Sequence, residues 1–388
     1  MQLVRLVTLA LVVTLGLLAG QSRLSADEGQ AGNKIAAVLQ TAVENHSIAG
    51  AVVLVADKDD ILCIESAGAA DVATDRPMQA DSLFWIASQS KPITATALMI
   101  LVDEGKVKLD DPVEKYLPEF KKVWLAAEQD SERLLLKKPG HPITVRNILS
   151  HTSGLPFKSA LEEPTLDLLP LVVAARSYAM TPLDFEPDSS YRYSNAGINT
   201  AGRIIEVVSG LPYEQFLDER LFKPLAMKDT TFWPNEEQLT RLAKSYRLNA
   251  EKNGLEEVDI GQLFYPLNDR RRQPMPAGGL FSTARDVARF CQMVLNGGVR
   301  DGKRYLSEVA IKEMTRRQTP PSLKESYGLG WSVGGDGSYG HGGAHATNMS
   351  IDPARGLITV FMVQAAGLPD VGKVNGEFSA AAREIYGK

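Results

Sequence analysis

Cysteine, histidine and clustered basic charge are scarce in this sequence. Its 388 residues hold two cysteines, Cys63 and Cys291, too few for a disulfide scaffold in an exported protein. Cys291 falls on an apolar helical face and Cys63 in an expected strand. They read as two buried thiols, with a bridge between them as the alternative. The five histidines (46, 141, 151, 341 and 345) contain no H-E-x-x-H, and His341 with His345 lacks a carboxylate neighbour, so no metal site is expected. Most of them read as structural or solvated. A net charge of −5 with no basic run argues against a nucleic-acid partner. Hydrophobic content of 44% and charged content of 23% are those of an ordinary globular protein. There is no internal repeat and no low-complexity tract.

Charge is missing altogether from Leu6 to Ser22, between Arg5 and Arg23. A positive start, an apolar core and small residues after it (Gly20, Ser22, Ala26) read as a secretory signal peptide. The core from Leu6 to Leu18 is short of the ~20 residues needed to span a bilayer, which argues against a retained anchor. Ser22 and Ala26 are both plausible cut sites. Cleavage after Ala26 removes 26 of the 388 residues and two arginines, leaving 362 residues with a net charge of −7. No cysteine follows the core, against a lipoprotein anchor. The expected location is periplasmic or secreted.

Along the rest of the chain, residues 22–33 read as a polar, flexible lead-in. Ile35, Val38, Leu39 and Val43 predict a helix over 34–44. Runs at 51–55 and 61–65 around Asp57-Lys58-Asp59-Asp60 predict a hairpin. A helix is expected over 88–104, with Pro92 in its first turn and Gly105 as its stop. Residues 106–265 read as loop-rich and helical, with one clear helix ending at Gly210. Thr283-Ala284-Arg285-Asp286 reads as a capping box opening a further helix. A strand at 357–363 and a helix over 378–385 close the chain. Strands at both ends with helices between predict an α/β (α+β) fold: one antiparallel sheet from the two termini, flanking helices, and a helical region inserted at about 106–265. The mature chain, 27–388, is expected to be one domain.

Three literal motif matches do not fit their surroundings. Gly330-Trp331-Ser332-Val333-Gly334 matches a nucleophile elbow, but Gly-rich sequence follows where a helix is required. The G-x-G-x-x-G from Gly335 to Gly340 opens no helix. In the P-loop-like run Gly297 to Lys303, Arg304 stands where a magnesium-binding hydroxyl belongs.

Ser88-Gln89-Ser90-Lys91 is different. It places a hydroxyl and an amine three apart on one face of a helix start. Serine needs a neighbouring base to become a nucleophile, and lysine serves when burial and nearby positive charge disfavour its ammonium form. The helix N-terminus also offers N–H donors to a developing oxyanion. An S-x-x-K is expected about once by chance in a chain of this composition, so its companions decide. These are FWIASQSKPITATAL, ITVRNILSHTSGLP, FEPDSSYRYSNAGINTAGRIIEVVSG, FKPLAMKDTTFW, PAGGLFSTARDVARF and GLGWSVGGDGSYGHGG, in that order.

From about Lys34 to the end, the chain resembles the serine β-lactamase-like, penicillin-binding-protein-like superfamily: class C β-lactamases, family VIII esterases and D-aminopeptidase-type hydrolases. The resemblance implies a β-lactamase/transpeptidase-like fold with the active site between sheet and helical region. It implies Ser88 as acylated nucleophile, Lys91 as its proton acceptor and Tyr193 as partner in the proton shuttle. Asn195 would hydrogen-bond Lys91 and substrate. The N–H groups of Ser88 and Ala344 would form the oxyanion hole, and His341, Gly342 and Gly343 would line the substrate. No cofactor or metal is implied; the partner is a small ester, amide or peptidoglycan-type substrate.

The sequence departs from the family pattern at the third motif. His341-Gly342-Gly343 stands where penicillin-recognising members commonly have Lys-Thr-Gly. Loss of that lysine and hydroxyl removes charge-assisted hydrogen bonds worth ~1.5–3 kcal/mol each to a substrate carboxylate. Esters and D-amino-acid amides are therefore favoured over β-lactams, with a β-lactamase, a DD-carboxypeptidase or an inactive peptidoglycan binder as alternatives. His341 is expected to titrate near neutrality. Asp188 replaces the glycine that often follows Pro187, so a local change of turn is expected.

Overall fold

The computed structural model describes residues 26–387, with side chains from Lys34 onward. The expected leader lies outside the described residues except for Ala26, which begins helix α1 (Ala26–Glu44). That helix starts eight residues before the apolar periodicity, inside the segment expected to be flexible.

Two consecutive strands, β1 (Gly50–Ala56) and β2 (Ile61–Asp71), form the predicted hairpin. Strand β3 (Arg76–Pro77) continues that edge. The C-terminal segment supplies β4 (Ser332–Val333), β5 (Tyr339–Gly342), β6 (Asn348–Asp352) and β7 (Leu357–Val363). The sheet order is β4-β5-β6-β7-β1-β2-β3, every pair antiparallel, and the termini meet where Val53 faces Phe361.

Both central strands are continuous apolar runs because both faces of the sheet are covered. Val53 and Val55 pack with Ile35 and Leu39 of α1 and Phe378 near the C-terminus. Val52 and Leu54 point the other way, into a larger core with Ile93, Leu98 and Phe290. Each such side chain fully buried contributes roughly 1.5–3 kcal/mol before entropy is counted.

On that second face lies α2 (Ser90–Asp103), entered through a 3₁₀ turn at Ala87–Gln89. The inserted region adds α3 (Val145–Ser150), α4 (Leu171–Met180) and α5 (Asn195–Ser209), the last stopped by Gly210 at φ +73°. The region also carries two hairpins, Leu125–Gln129 with Leu134–Lys137 and Ser245–Leu248 with Leu255–Val258, where loop and helix were expected. The second docks on the sheet, the Tyr246 N–H donating to the Gln364 carbonyl at 3.0 Å.

Helix α6 (Ala284–Leu295) is capped by Thr283, whose hydroxyl accepts from the Asp286 N–H. The reciprocal half of the expected capping box is not made. Asp286 instead accepts from the Asp229 N–H at 2.7 Å and the Thr230 hydroxyl at 3.1 Å. Helix α7 (Val371–Tyr386) begins seven residues before the expected start, because the stripe Val374, Phe378, Ala381 and Ala382 is seated on the sheet despite Gly372 and Gly376.

Both thiols are free, and a bridge is excluded by their placement. Cys63 packs with the cluster under α1 and α7, whereas Cys291 is buried in the core across the sheet. The three mismatched motifs take other forms. Ser332 opens the exposed end of β4, residues 334–338 turn into β5, and 299–304 make a small hairpin.

Candidate active site

Ser88 sits in the 3₁₀ turn that leads into α2, half-buried and reachable from solvent. The turn is forced. Ala87 has φ +46°, a conformation L-residues avoid, and Ser90 anchors it by donating to the Ala87 carbonyl at 2.6 Å. Lys91, one turn along, is fully buried. Its Nζ lies 3.0 Å from Ser88 Oγ and 2.7 Å from the carbonyl of Ala277. Burial pushes the lysine well below its ordinary range. A neutral amine has two N–H donors and one lone pair, so donation to Ala277 leaves the lone pair available to the Ser88 hydroxyl.

Tyr193 precedes α5, and its ring faces the amine, with Nζ 4.6 Å from the ring centroid. Burial pushes the phenol up, with Ser88 offsetting part of the shift by a hydrogen bond. At rest burial therefore favours the protonated phenol and the neutral amine. Asn195, the first residue of α5, is buried and anchored through its backbone N–H to the Phe157 carbonyl at 3.1 Å. The second partner of the amine is the Ala277 carbonyl, and Asn195 makes no hydrogen bond to Lys91 among the described residues. The segment carrying Ala277 is pressed on α2 and α5. Thr94 Oγ1 lies 2.8 Å from the Pro276 carbonyl, and a Cβ at Gly202 would come within 2.3 Å of Pro276 Cγ.

The third motif lies at the end of β5. His341 is buried between two tyrosines, its Nε2 2.9 Å from the Tyr327 hydroxyl and 3.5 Å from that of Tyr193. Its Nδ1 lies 2.7 Å from the Gly342 carbonyl, which only accepts, so Nδ1 carries the proton and Nε2 accepts. Burial and the nearby Lys91 push His341 down to about 3. The histidine expected to titrate near neutrality is thus neutral throughout that range. A sequence cannot supply the solvent exclusion that causes this.

Gly343 lets the strand end approach the Ser88 turn: a Cβ there would meet the Ile86 carbonyl at 2.6 Å and Thr347 Oγ1 at 2.2 Å. Ala344 follows in an exposed turn. No backbone carbonyl among the described residues engages the N–H of Ser88 or of Ala344.

Sequence reasoning missed Ala277, Tyr327 and His151. His151, at φ +62° after α3, is buried under Tyr193 and Tyr327 with ring centroids 4.6 Å from each. Its Nδ1 accepts from the Ser194 N–H at 3.2 Å, fixing the residue after Tyr193. The only signal for Ala277 and His151 was their membership in quoted segments, and Tyr327 directly precedes one. Asp188 keeps the turn that a glycine would make. It holds φ +64°, and its carboxylate accepts from Asn147 Nδ2 at 2.7 Å, compensating a strained backbone. Among the described residues no cluster of three His, Cys, Asp or Glu side chains is arranged to hold a metal ion.

The model of the Beta-lactamase family matches residues 35–384. The chain belongs to the beta-lactamase family. With that it is an enzyme of the serine hydrolase type. Beta-lactamase family relatives include Penicillin-binding protein 4 of Amycolatopsis lactamdurans, 30% identical over 358 residues, covering 88% of this chain and 86% of the relative. Esterase EstB of Burkholderia gladioli is 29% identical over 336 residues, covering 80% of each chain. Among solved structures, EstCE1, described as a hydrolase with promiscuous acyltransferase activity, superposes with a TM-score of 0.78 at 24% identity, covering 92% of this chain and 99% of its own. That likeness carries the fold of the family, an antiparallel sheet with helices on both faces.

Proposed function

We propose that this beta-lactamase family hydrolase cleaves uncharged esters and amides through an acyl-enzyme on Ser88. The observation that carries the reading is the fully buried Lys91 amine 3.0 Å from Ser88 Oγ. Lys91 takes the hydroxyl proton as Ser88 Oγ attacks the carbonyl carbon. The N–H groups of Ser88 and Ala344 stabilise the oxyanion, and Tyr193 delivers a proton to the departing oxygen or nitrogen. Water, deprotonated along the same path, then cleaves the acyl-enzyme and restores the serine. Asn195, His341, Gly342 and Gly343 line the substrate.

The preference for uncharged acyl groups rests on His341. A neutral imidazole whose Nε2 is already accepting from Tyr327 gives a substrate carboxylate no ionic partner. The name of Esterase EstB agrees with this reading, while that of Penicillin-binding protein 4 keeps penicillin-type and D-alanyl-D-alanine substrates as the second one. Initial rates on a short p-nitrophenyl ester and a chromogenic cephalosporin separate them. The ester is expected to turn over faster, and faster cephalosporin hydrolysis overturns the preference. Intact-mass analysis after fluorophosphonate treatment should show one adduct that disappears in Ser88→Ala; no adduct on the wild type would support an inactive peptidoglycan-binding homologue. The mature chain acts as a single catalytic unit outside the cytoplasm in this reading, the leader removed. Residues 88, 193 and 341, drawn from across its length, support the first part, and the uncharged stretch at 6–22 supports the second.

A further inference from the structure

Ala277, whose carbonyl holds Lys91, is itself anchored through its N–H by a buried chain of hydrogen bonds. The Ala277 N–H donates to Asn199 Oδ1 at 3.0 Å. That fixes the carboxamide of Asn199, whose Nδ2 then donates to the Tyr178 hydroxyl at 3.0 Å. Tyr178 has a single hydroxyl proton, and it goes to Glu162 Oε1 at 2.6 Å. The other carboxyl oxygen of Glu162 accepts from the Ser159 N–H at 2.7 Å. Lys91, Asn199, Tyr178 and Glu162 are each at most 3% exposed.

The direction of every link is dictated. A carbonyl only accepts, a peptide N–H only donates, and the amide of Asn199 has one acceptor end, occupied by the peptide. Three successive donors therefore run one way, from the Ala277 N–H to a carboxyl group, and the lysine bond joins them through the backbone of Ala277, since its carbonyl and its N–H belong to successive peptide units. Hydrogen bonds aligned in this sense polarise one another in a low-dielectric interior. Glu162 lies in a segment outside the quoted motifs, and α4 and α5 supply the middle links.

We propose that Glu162, Tyr178 and Asn199 are positioning residues that fix the backbone of Ala277 and, through it, Lys91. The chain points one amine N–H at Ala277, which turns the lone pair towards Ser88. When Lys91 takes the serine proton, the carbonyl held in place by this anchor receives the new positive charge. The inference rests on Ser88 and Lys91 being nucleophile and base. The other titratable groups around the amine are Tyr193, from the segment before α5, His151 after α3 and His341 on β5, and burial favours the neutral form of each. Glu162 itself is faced by Tyr178 from α4 and, at longer range, by Lys158.

The test is the pH dependence of the second-order rate of Ser88 labelling by a fluorophosphonate, measured on the full chain. Its acid limb reports protonation of Lys91. Replacing the terminal carboxyl acceptor in Glu162→Gln, or cutting the chain in Tyr178→Phe, loosens the Ala277 carbonyl, disfavours the ammonium and moves the limb to lower pH. The expected move is about half a unit, a roughly threefold change in the ionisation constant, with slower labelling at the plateau. The double variant should move it no further than the larger single effect. Glu163→Gln, one residue along and paired with Lys158 at the surface, should leave the limb in place. A limb in Glu162→Gln that coincides with the wild type overturns the proposal, and this variant decides alone if Tyr178→Phe does not fold. An unlabelled Ser88 in the wild type overturns the proposed function itself, a separate outcome.

Discussion

At the scale of single residues, the site works by withholding charge. Lys91, His151 and His341 are basic side chains in one buried neighbourhood, and desolvation pushes all three below their ordinary values. The consequence for stability has a definite sign. An unfolded histidine binds a proton near pH 6.5, while folded His341 does so only near 3. Below about 6.5 the unfolded state therefore binds more protons, and stability falls as pH drops towards 3. His151 acts in the same direction. Denaturant unfolding at pH 7.5 and pH 5 should show a lower midpoint at pH 5, and His341→Gln should reduce the difference. Equal midpoints for the wild type would contradict the buried neutral pair. Motif and flanks suggested that Ser88, Lys91 and Tyr193 meet, and the structure does bring the three side chains together. Their charge states were not readable, because burial depends on what packs around them.

At the scale of elements, close approach of backbone segments builds the site. Gly343 brings the end of β5 onto the carbonyl of Ile86, two residues before Ser88. Gly343→Ala forces a Cβ into backbone at 2.6 Å, so the strand end must retreat. Labelling of Ser88 should fall on the order of 10²-fold, as for loss of one oxyanion donor, while the sheet persists. Circular dichroism with labelling kinetics checks this; wild-type rates would show that the strand end can yield. Asp188 makes the complementary case. Its carboxylate holds Asn147 at the start of α3, so Asp188→Ala loses the bonds and keeps the strained φ of +64°. A loss of about 2 kcal/mol is expected in urea unfolding, the cost of an unsatisfied buried amide. Helix starts at Thr283 and stops at Gly105 and Gly210 were readable because the signals are local. The destination of the Asp286 carboxylate was not, since Asp229 and Thr230 are more than fifty residues away in sequence.

At the scale of the whole molecule, the sheet joins the two ends of the chain and separates two cores. Cys63 and Cys291 lie in different cores, and burial pushes the Cys63 thiol up to about 11 and that of Cys291 up as well. Two free thiols should be counted under denaturing, non-reducing conditions, with Cys63 alkylated slowly and Cys291 almost not at all in the native protein. A mass two units low, the mark of a disulfide, would contradict the placement.

The sequence by itself determined the local grammar: the apolar runs of β1 and β7, the stops of α2 and α5, and a serine and lysine one helical turn apart. Those features follow from periodicity, propensity and spacing, which involve only neighbours in the chain. Tertiary structure alone decided that His341 is neutral, that Ala277 holds the lysine, and that a buried glutamate from outside the motifs lies at the far end of the hydrogen-bond chain anchoring Ala277. These depend on desolvation and on contacts between separate segments, as many as 186 residues apart for Lys91 and Ala277, and neither is written in any local stretch of sequence.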